Sequence, residues 1–183
     1  MTSRSDIHFY DLWMQELEES AEFFLNSYNT KVTAKVCFEI EKRIATCFLH
    51  LRQNSKEYLS ASRKNQKEIS LTYYPIRNIK AKKNDYRERY SLMNGSKELL
   101  KVYQLCHSII HVSEKSQFIP TEEGVLGVFF SSDQDVNEKL YYVQLCKIAQ
   151  ILLSVVENRE LIIEPVFNER ARIFSFTRYY TNQ

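Results

Sequence analysis

Turn-forming residues are scarce in this chain. It has 183 residues but only three glycines and three prolines, so few tight reversals are encoded and long helices are expected. No run approaches the ~18 consecutive apolar residues that a membrane span needs. The opening MTSRSDIHFYDLW carries no continuous apolar core of signal-peptide type. A cytoplasmic protein without membrane association is therefore expected. Charge of one sign is scarce as well. Lys and Arg total 25 against 23 Asp and Glu, a net charge of +2, which argues for a nucleic-acid partner only where basic residues cluster. There is no Gly-rich phosphate loop, G-x-S-x-G elbow, paired-carboxylate motif or C-x-x-C pair, which disfavours the common enzyme classes. Cys37, Cys47, Cys106 and Cys146 stand apart, each within an apolar helical pattern. They read as buried free thiols rather than a zinc site or a disulfide framework.

What is present is the composition of a folded protein, 44% hydrophobic and 26% charged, with twelve tyrosines and eleven phenylalanines. That is a large aromatic surface to bury or to present. A single domain over 1–183 is the default at this length. Ser5 and Asp6 are candidate caps for a first helix reaching about Tyr28, with Leu12, Trp13, Leu17, Ala21, Phe24 and Leu25 as its apolar stripe. After Asn29 and Thr30, the residues Val36, Cys37, Ile40, Ile44, Cys47, Phe48 and Leu51 give the strongest helical period in the chain. Two such helices joined by a short loop pack naturally as an antiparallel hairpin.

Residues 63–95 differ, and read as a basic, tyrosine-containing loop or linker. Arg63, Lys64, Lys67, Arg77, Lys80, Lys82, Lys83, Arg87 and Arg89 face only Glu68, Asp85 and Glu88, with Tyr73, Tyr74 and Tyr86 interleaved. Cationic groups for phosphates and π-faces for bases are the two ingredients of single-stranded nucleic-acid contact. RNA is the candidate partner, with Arg77, Lys80, Lys82, Lys83, Arg87, Arg89 and Tyr86 as contact residues; the plainer alternative is a solvated loop. Ile69–Tyr74 suits a short strand stopped by Pro75, and Asn94-Gly95 a turn.

Ser96, Glu98 and the apolar set from Leu99 to Ile110 predict a third helix ending before Pro120. GVLGVFF, at 124–130, predicts a strand. Asp135 with Glu138 three residues on suggests a capping box opening a fourth helix, apolar on most sides, through about Asn158. The tail resembles a β-hairpin, a C-terminal appendage over 159–183 whose aromatic residues are a candidate surface for a protein partner.

Two residue pairs are the candidates for chemistry. In LCHSIIH, His107 and His111 share one helix face about 6 Å apart along the axis, a separation at which two imidazoles can hold one metal. Ser108 stands where an H-E-x-x-H zinc site needs glutamate, and no third histidine follows. No metal or other cofactor is expected on that ground. Acid–base work, phosphate contact, or a structural place at the core edge remain for the pair. In KRIATCFLHLRQ, Arg43 and His50 return to one face after seven residues but lie ~10 Å apart along it. Only a common ligand or a second subunit would join them; otherwise Arg43 simply borders the apolar stripe.

LCHSIIH, following the helix hairpin that contains FEIEKRIATCFLHL, resembles the pattern of the HEPN superfamily over roughly residues 5–157. The resemblance implies a four- to five-helix HEPN-like bundle and leaves the terminal hairpin unexplained; with the strands read from the sequence, the expected fold is mainly α (α+β), that bundle with a small antiparallel β element at about 125–130, 161–167 and 172–178. It also implies an RNA-associated protein of a defence or toxin system, with a homodimer expected. Such a protein is either a metal-independent endoribonuclease using the RNA 2′-hydroxyl as nucleophile, or a catalytically inactive binding or adaptor subunit. By resemblance His111 matches the motif histidine and His107 the polar position. The motif arginine does not carry over, because Cys106 stands five before His111. Arg43 with His50 has the motif spacing but is followed by Ile44. The catalytic candidates are thus His111, His107, Arg43 and His50.

Overall fold

The computed structural model describes residues 4–58, 68–82, 85–111, 117–120, 124–157 and 161–180; for 4–10, 53–58 and Gln117 it describes the backbone alone. The elements run α1 (Arg4–Asn26), a 3-10 turn (Ser27–Asn29), α2 (Ala34–Tyr58), β1 (Glu68–Pro75), α3 (Tyr86–Arg89), β2 (Ser96–Lys101) and α4 (Val102–Ile110). They continue with β3 (Gln117–Pro120), β4 (Val125–Phe130), β5 (Lys139–Gln144), α5 (Leu145–Val156), β6 (Leu161–Asn168) and β7 (Ile173–Tyr180). The sheets are an antiparallel five-stranded one, in the order β2-β1-β5-β4-β3, and a two-stranded one, β6-β7. This overturns the expected helical bundle with a small β element: the fold is α+β, with a substantial sheet.

Two segments account for the difference. Ser96–Lys101 was expected to open the third helix but pairs with β1, from Glu68↔Lys101 to Tyr73↔Ser96. Its side chains alternate accordingly, with Leu99 63% exposed and Leu100 7%. Asp135 and Glu138 do not open a helix either. Ser132 Oγ donates to Asp135 Oδ2 at 2.6 Å and Glu138 N to Asp135 O at 2.8 Å, closing the turn before β5. Tyr73, Tyr74 and Pro75 of β1 then pair with Tyr141, Leu140 and Lys139 of β5. Ser5 and Asp6 likewise lie inside α1, which starts at Arg4, rather than before it.

By its contacts the chain divides into two units, one of residues 1–43, 120–126 and 144–183, the other of 44–119 and 127–143. The first unit is built on α1 and α5. Leu17, Ala21, Phe24 and Leu25 recur at helical spacing and are buried, as are Leu145, Ile148, Ala149, Leu152 and Leu153. Each fully buried Leu, Ile or Phe contributes about 1.5–3 kcal/mol. Tyr28 is fully buried, and its rings of contact are Phe174 at 5.2 Å and Phe176 at 5.0 Å, both edge-on. Its hydroxyl accepts from Cys146 N at 3.1 Å, so a phenol satisfies an N–H in the first turn of α5 that the helix itself leaves open.

The second unit packs the later turns of α2, α4 and the five-stranded sheet. Cys47, Phe48, Leu51, Leu71, Leu100, Leu105, Cys106, Val128, Phe130, Leu140 and Val143 are buried. Tyr86, Tyr90 and Leu140 form a further cluster with Tyr74, Ile76, Leu92 and Phe129 against it. Among the described residues no helix is long and apolar enough to cross a membrane.

Candidate functional site

Helix α4 turns Leu105, Cys106, Ser108 and Ile109 inward, leaving His107 half-buried and His111 exposed at its C-terminal end. His111 has left helical geometry (φ −101°, ψ 33°), yet its N–H still reaches His107 O at 3.1 Å. Asp133 N donates to His111 O at 3.1 Å, anchoring the same residue from the turn before β5. The two imidazole centroids are 4.5 Å apart and inclined by 51°. The i, i+4 juxtaposition expected from the spacing is therefore present.

A cation arrives from α2. Arg52 Nη1 lies 3.2 Å from His111 Nε2. A guanidinium can only donate, so His111 accepts at Nε2 and in its neutral form carries the proton on Nδ1. Arg52 also tells on Cys106, the buried neighbour of His107. Burial pushes that thiol up to about 12, against smaller downward effects of its backbone hydrogen bond and of Arg52's charge. Cys106 is thus a protonated core residue at neutral pH and offers no thiolate for chemistry.

The chemistry available to the cluster is anion contact and proton transfer. A planar guanidinium suits a phosphoryl oxygen, and two adjacent imidazoles suit general acid–base steps. Among the described residues no group of three or more His, Cys, Asp or Glu is arranged to hold a metal ion.

Of the other expected site residues, Arg43 is engaged in the first unit. Its Nη1 donates to the buried Ser20 Oγ at 3.1 Å and its guanidinium lies 4.8 Å from the Phe23 ring centroid. His50 is half-buried on α2, two residues before Arg52. In the basic loop Arg77, Lys80, Lys82 and Arg87 are exposed, while Lys83, with Arg63, Lys64 and Lys67, lies outside the described residues.

Arg89 and Tyr86 are corrections: they are 2% and 4% exposed and belong to the interior rather than to a contact surface. Arg89 spends every guanidinium N–H internally. Nε and Nη2 donate to Val136 O at 3.4 and 3.1 Å, Nη1 to Ile79 O and Ala81 O at 3.1 and 2.9 Å, and Nη2 to Asn137 Oδ1 at 2.8 Å. Its backbone oxygen accepts from Arg77 N and Asn78 N at 2.7 and 3.1 Å. One buried arginine therefore ties the loop that displays the exposed cations to the turn before β5. Tyr86 packs edge-on against Tyr90 and Phe129, with centroids 6.1 Å away in each case.

A second polar cluster is closed on itself. Lys139 Nζ lies 3.0 and 2.9 Å from the Glu98 carboxylate oxygens, Tyr141 Oη donates to the same group at 3.3 Å, and the ammonium sits 5.7 Å from the Tyr73 ring centroid. Burial alone would lower the Lys139 pKa, but its hydrogen-bonding partners Tyr141 and Glu98 hold it above the ordinary lysine range.

Arg52 was missed by sequence reasoning. It lies one turn beyond Phe48 on the flank of the α2 stripe, and its partner is 59 residues away, so no local spacing signals the pair. Compared with known proteins, the chain matches no family model, no curated protein and no solved structure.

Proposed function

We propose that this is an RNA-associated protein whose Arg52, His111 and His107 act on the phosphodiester backbone, cleaving it without a metal. The observation carrying this reading is the 3.2 Å approach of Arg52 to His111 beside the second imidazole. In the proposed reaction one imidazole takes the proton of the RNA 2′-hydroxyl, whose oxygen attacks the adjacent phosphorus. The 5′-oxygen leaves with a proton from the other imidazole, and a 2′,3′-cyclic phosphate remains. Arg52 balances the charge that accumulates on the phosphoryl oxygens, the larger share of such catalysis. The stapled loop with Arg77, Lys80, Lys82 and Arg87 supplies a cationic surface for neighbouring phosphates.

Single-stranded RNA incubated with the protein in EDTA tests the reading. The expected result is 5′-hydroxyl and 2′,3′-cyclic phosphate ends from wild type, and intact RNA with Arg52→Ala and His111→Ala. Intact RNA in all three samples contradicts it.

A second reading, a binding or adaptor subunit without catalysis, is favoured by the apolar residues exposed on the terminal hairpin: Val166 and Ile173 at 48% and Tyr179 at 40%. It predicts partner association that survives His111→Ala.

A further inference from the structure

The β6-β7 sheet has two edges, closed to different degrees. Its register runs unbroken from Leu161↔Tyr180 to Asn168↔Ile173. In an antiparallel ladder alternate residues turn both backbone groups toward the partner strand, and those between turn both away. Phe174 fixes the phase. Its N–H donates to Asn29 Oδ1 at 2.7 Å and its C=O accepts from Asn29 Nδ2 at 2.8 Å, so both groups point away from β6. Phe176, Arg178 and Tyr180 point the same way. On β6 the outward residues are then Leu161, Ile163, Pro165 and Phe167. A proline, which has no N–H to give a ladder, sits at one of these positions, as this phase requires.

The edge of β6 is blocked. Leu161 N donates to Ser154 Oγ at 3.2 Å, Ile163 N to Gln150 Oε1 at 3.3 Å, and Pro165 has no donor. On β7 the side chain of Asn29 occupies the edge at Phe174, standing in for a residue of a neighbouring strand. Beyond it Phe176 and Arg178 turn N–H and C=O outward with no hydrogen-bond partner among the described residues. Open strand edges of this kind pair with other chains unless something prevents it.

We propose that this edge pairs with the same edge of a second copy of the chain, antiparallel about a two-fold axis at Thr177, giving a four-stranded sheet. Phe176 and Arg178, whose outward groups are open, flank Thr177, so self-pairing about that residue uses both of them in each copy. Asn29 ends the ladder beyond them, where Phe174 would otherwise face Tyr180 of the other copy. In this register Phe176 of each copy exchanges two backbone hydrogen bonds with Arg178 of the other, and Ser175 faces Tyr179. Centring on Arg178 would instead set two guanidinium groups opposite each other, which is destabilising. The exposed Tyr179 of one copy comes diagonal to the exposed Ile173 of the other, adding apolar contact across the axis. The edge belongs to the first unit and the Arg52–His111 pair to the second, and the proposal does not depend on RNA.

Light scattering on the full chain, with three variants, tests it. Arg178→Ala and Arg178→Pro both lose the 2.7 Å ion pair with Glu22, but only the proline removes the outward N–H. Wild type and Arg178→Ala are expected to be dimers, and Arg178→Pro a monomer with association weakened at least about tenfold. Thr177 lies at a non-hydrogen-bonded pair on the axis, where Cα atoms sit about 4.5 Å apart, within disulfide range. Thr177→Cys should therefore form an intermolecular disulfide on mild oxidation while wild type does not. A monomeric wild type, a dimeric Arg178→Pro, or absence of the Thr177→Cys cross-link overturns the proposal. A wild-type monomer that instead binds an unrelated extended peptide overturns it in favour of strand addition by another partner.

Discussion

Replacing Arg89 by methionine keeps most of the buried stem and removes the guanidinium. Ile79 O, Ala81 O and Asn137 Oδ1 then lose their donor, while Val136 O keeps the Tyr90 hydroxyl at 2.8 Å. A buried polar group left unsatisfied costs about 1–3 kcal/mol. The Ala81 carbonyl bond is buried and those to the Ile79 carbonyl and the Asn137 amide oxygen are part-buried and partly open to water, so the expected loss is about 3–5 kcal/mol. For a chain of this length that lowers Tm by roughly 6–20 °C. Arg89→Lys should recover only a fraction, because a point ammonium cannot reach acceptors on the loop and on the turn before β5 together. Urea unfolding followed by circular dichroism measures the loss. Arg89→Met within about 1 kcal/mol of wild type would refute the staple. The same variant should reduce RNA retention although Arg77, Lys80, Lys82 and Arg87 are untouched, since it frees the loop that displays them.

Further outcomes are expected elsewhere. Gly124→Ala places a Cβ 2.0 Å from Ser27 O and 2.6 Å from Tyr28 C, backbone atoms that cannot step aside. It should cost at least about 2 kcal/mol, read as a lowered urea midpoint. Cys106 titrates near 9.0 when unfolded and at about 12 in the fold. Below pH 9 both states hold the proton; between pH 9 and 12 only the folded state does, so stability falls as pH rises through that window. Cys106→Ala should flatten this part of the stability–pH curve, and an unchanged slope would contradict the assignment. Glu98→Ala leaves Lys139 without its carboxylate and should cost about 1 kcal/mol, the scale of a partly exposed pair, checked by the same unfolding experiment.

How much of this was legible in sequence differs by element. The stripes of α1 and α2, the strand at Val125–Phe130 and the terminal hairpin announce themselves, because each repeats its period within one segment. SKELLK of β2 does not. Its Lys, Glu and Leu favour a helix locally, and only pairing with β1 makes it a strand. KLYYVQ of β5 runs straight into the apolar LCKIAQILLSVV of α5, which drew a single helix across both. Tyr141, Tyr142 and Val143, strand-prone residues in succession, were the available signal. At the site, the spacing of His107 and His111 foretold their juxtaposition, since one short helix carries the first and is capped by the second. Arg52 was invisible because β1, α3 and β2 intervene in sequence between α2 and α4. Arg89 and Tyr86 looked like surface because charge and aromatic content do not reveal which member of a basic run is folded inward.

The Arg52–His111 pair is tested most directly by a double-mutant cycle on single-turnover RNA cleavage in EDTA. Each alanine variant should lose about 10²–10³-fold in rate. The double variant should be little worse than the poorer single one, because residues in contact and acting as a unit lose their effect together. No cleavage by wild type, or losses that simply multiply in the double variant, would contradict a joint role for the two residues.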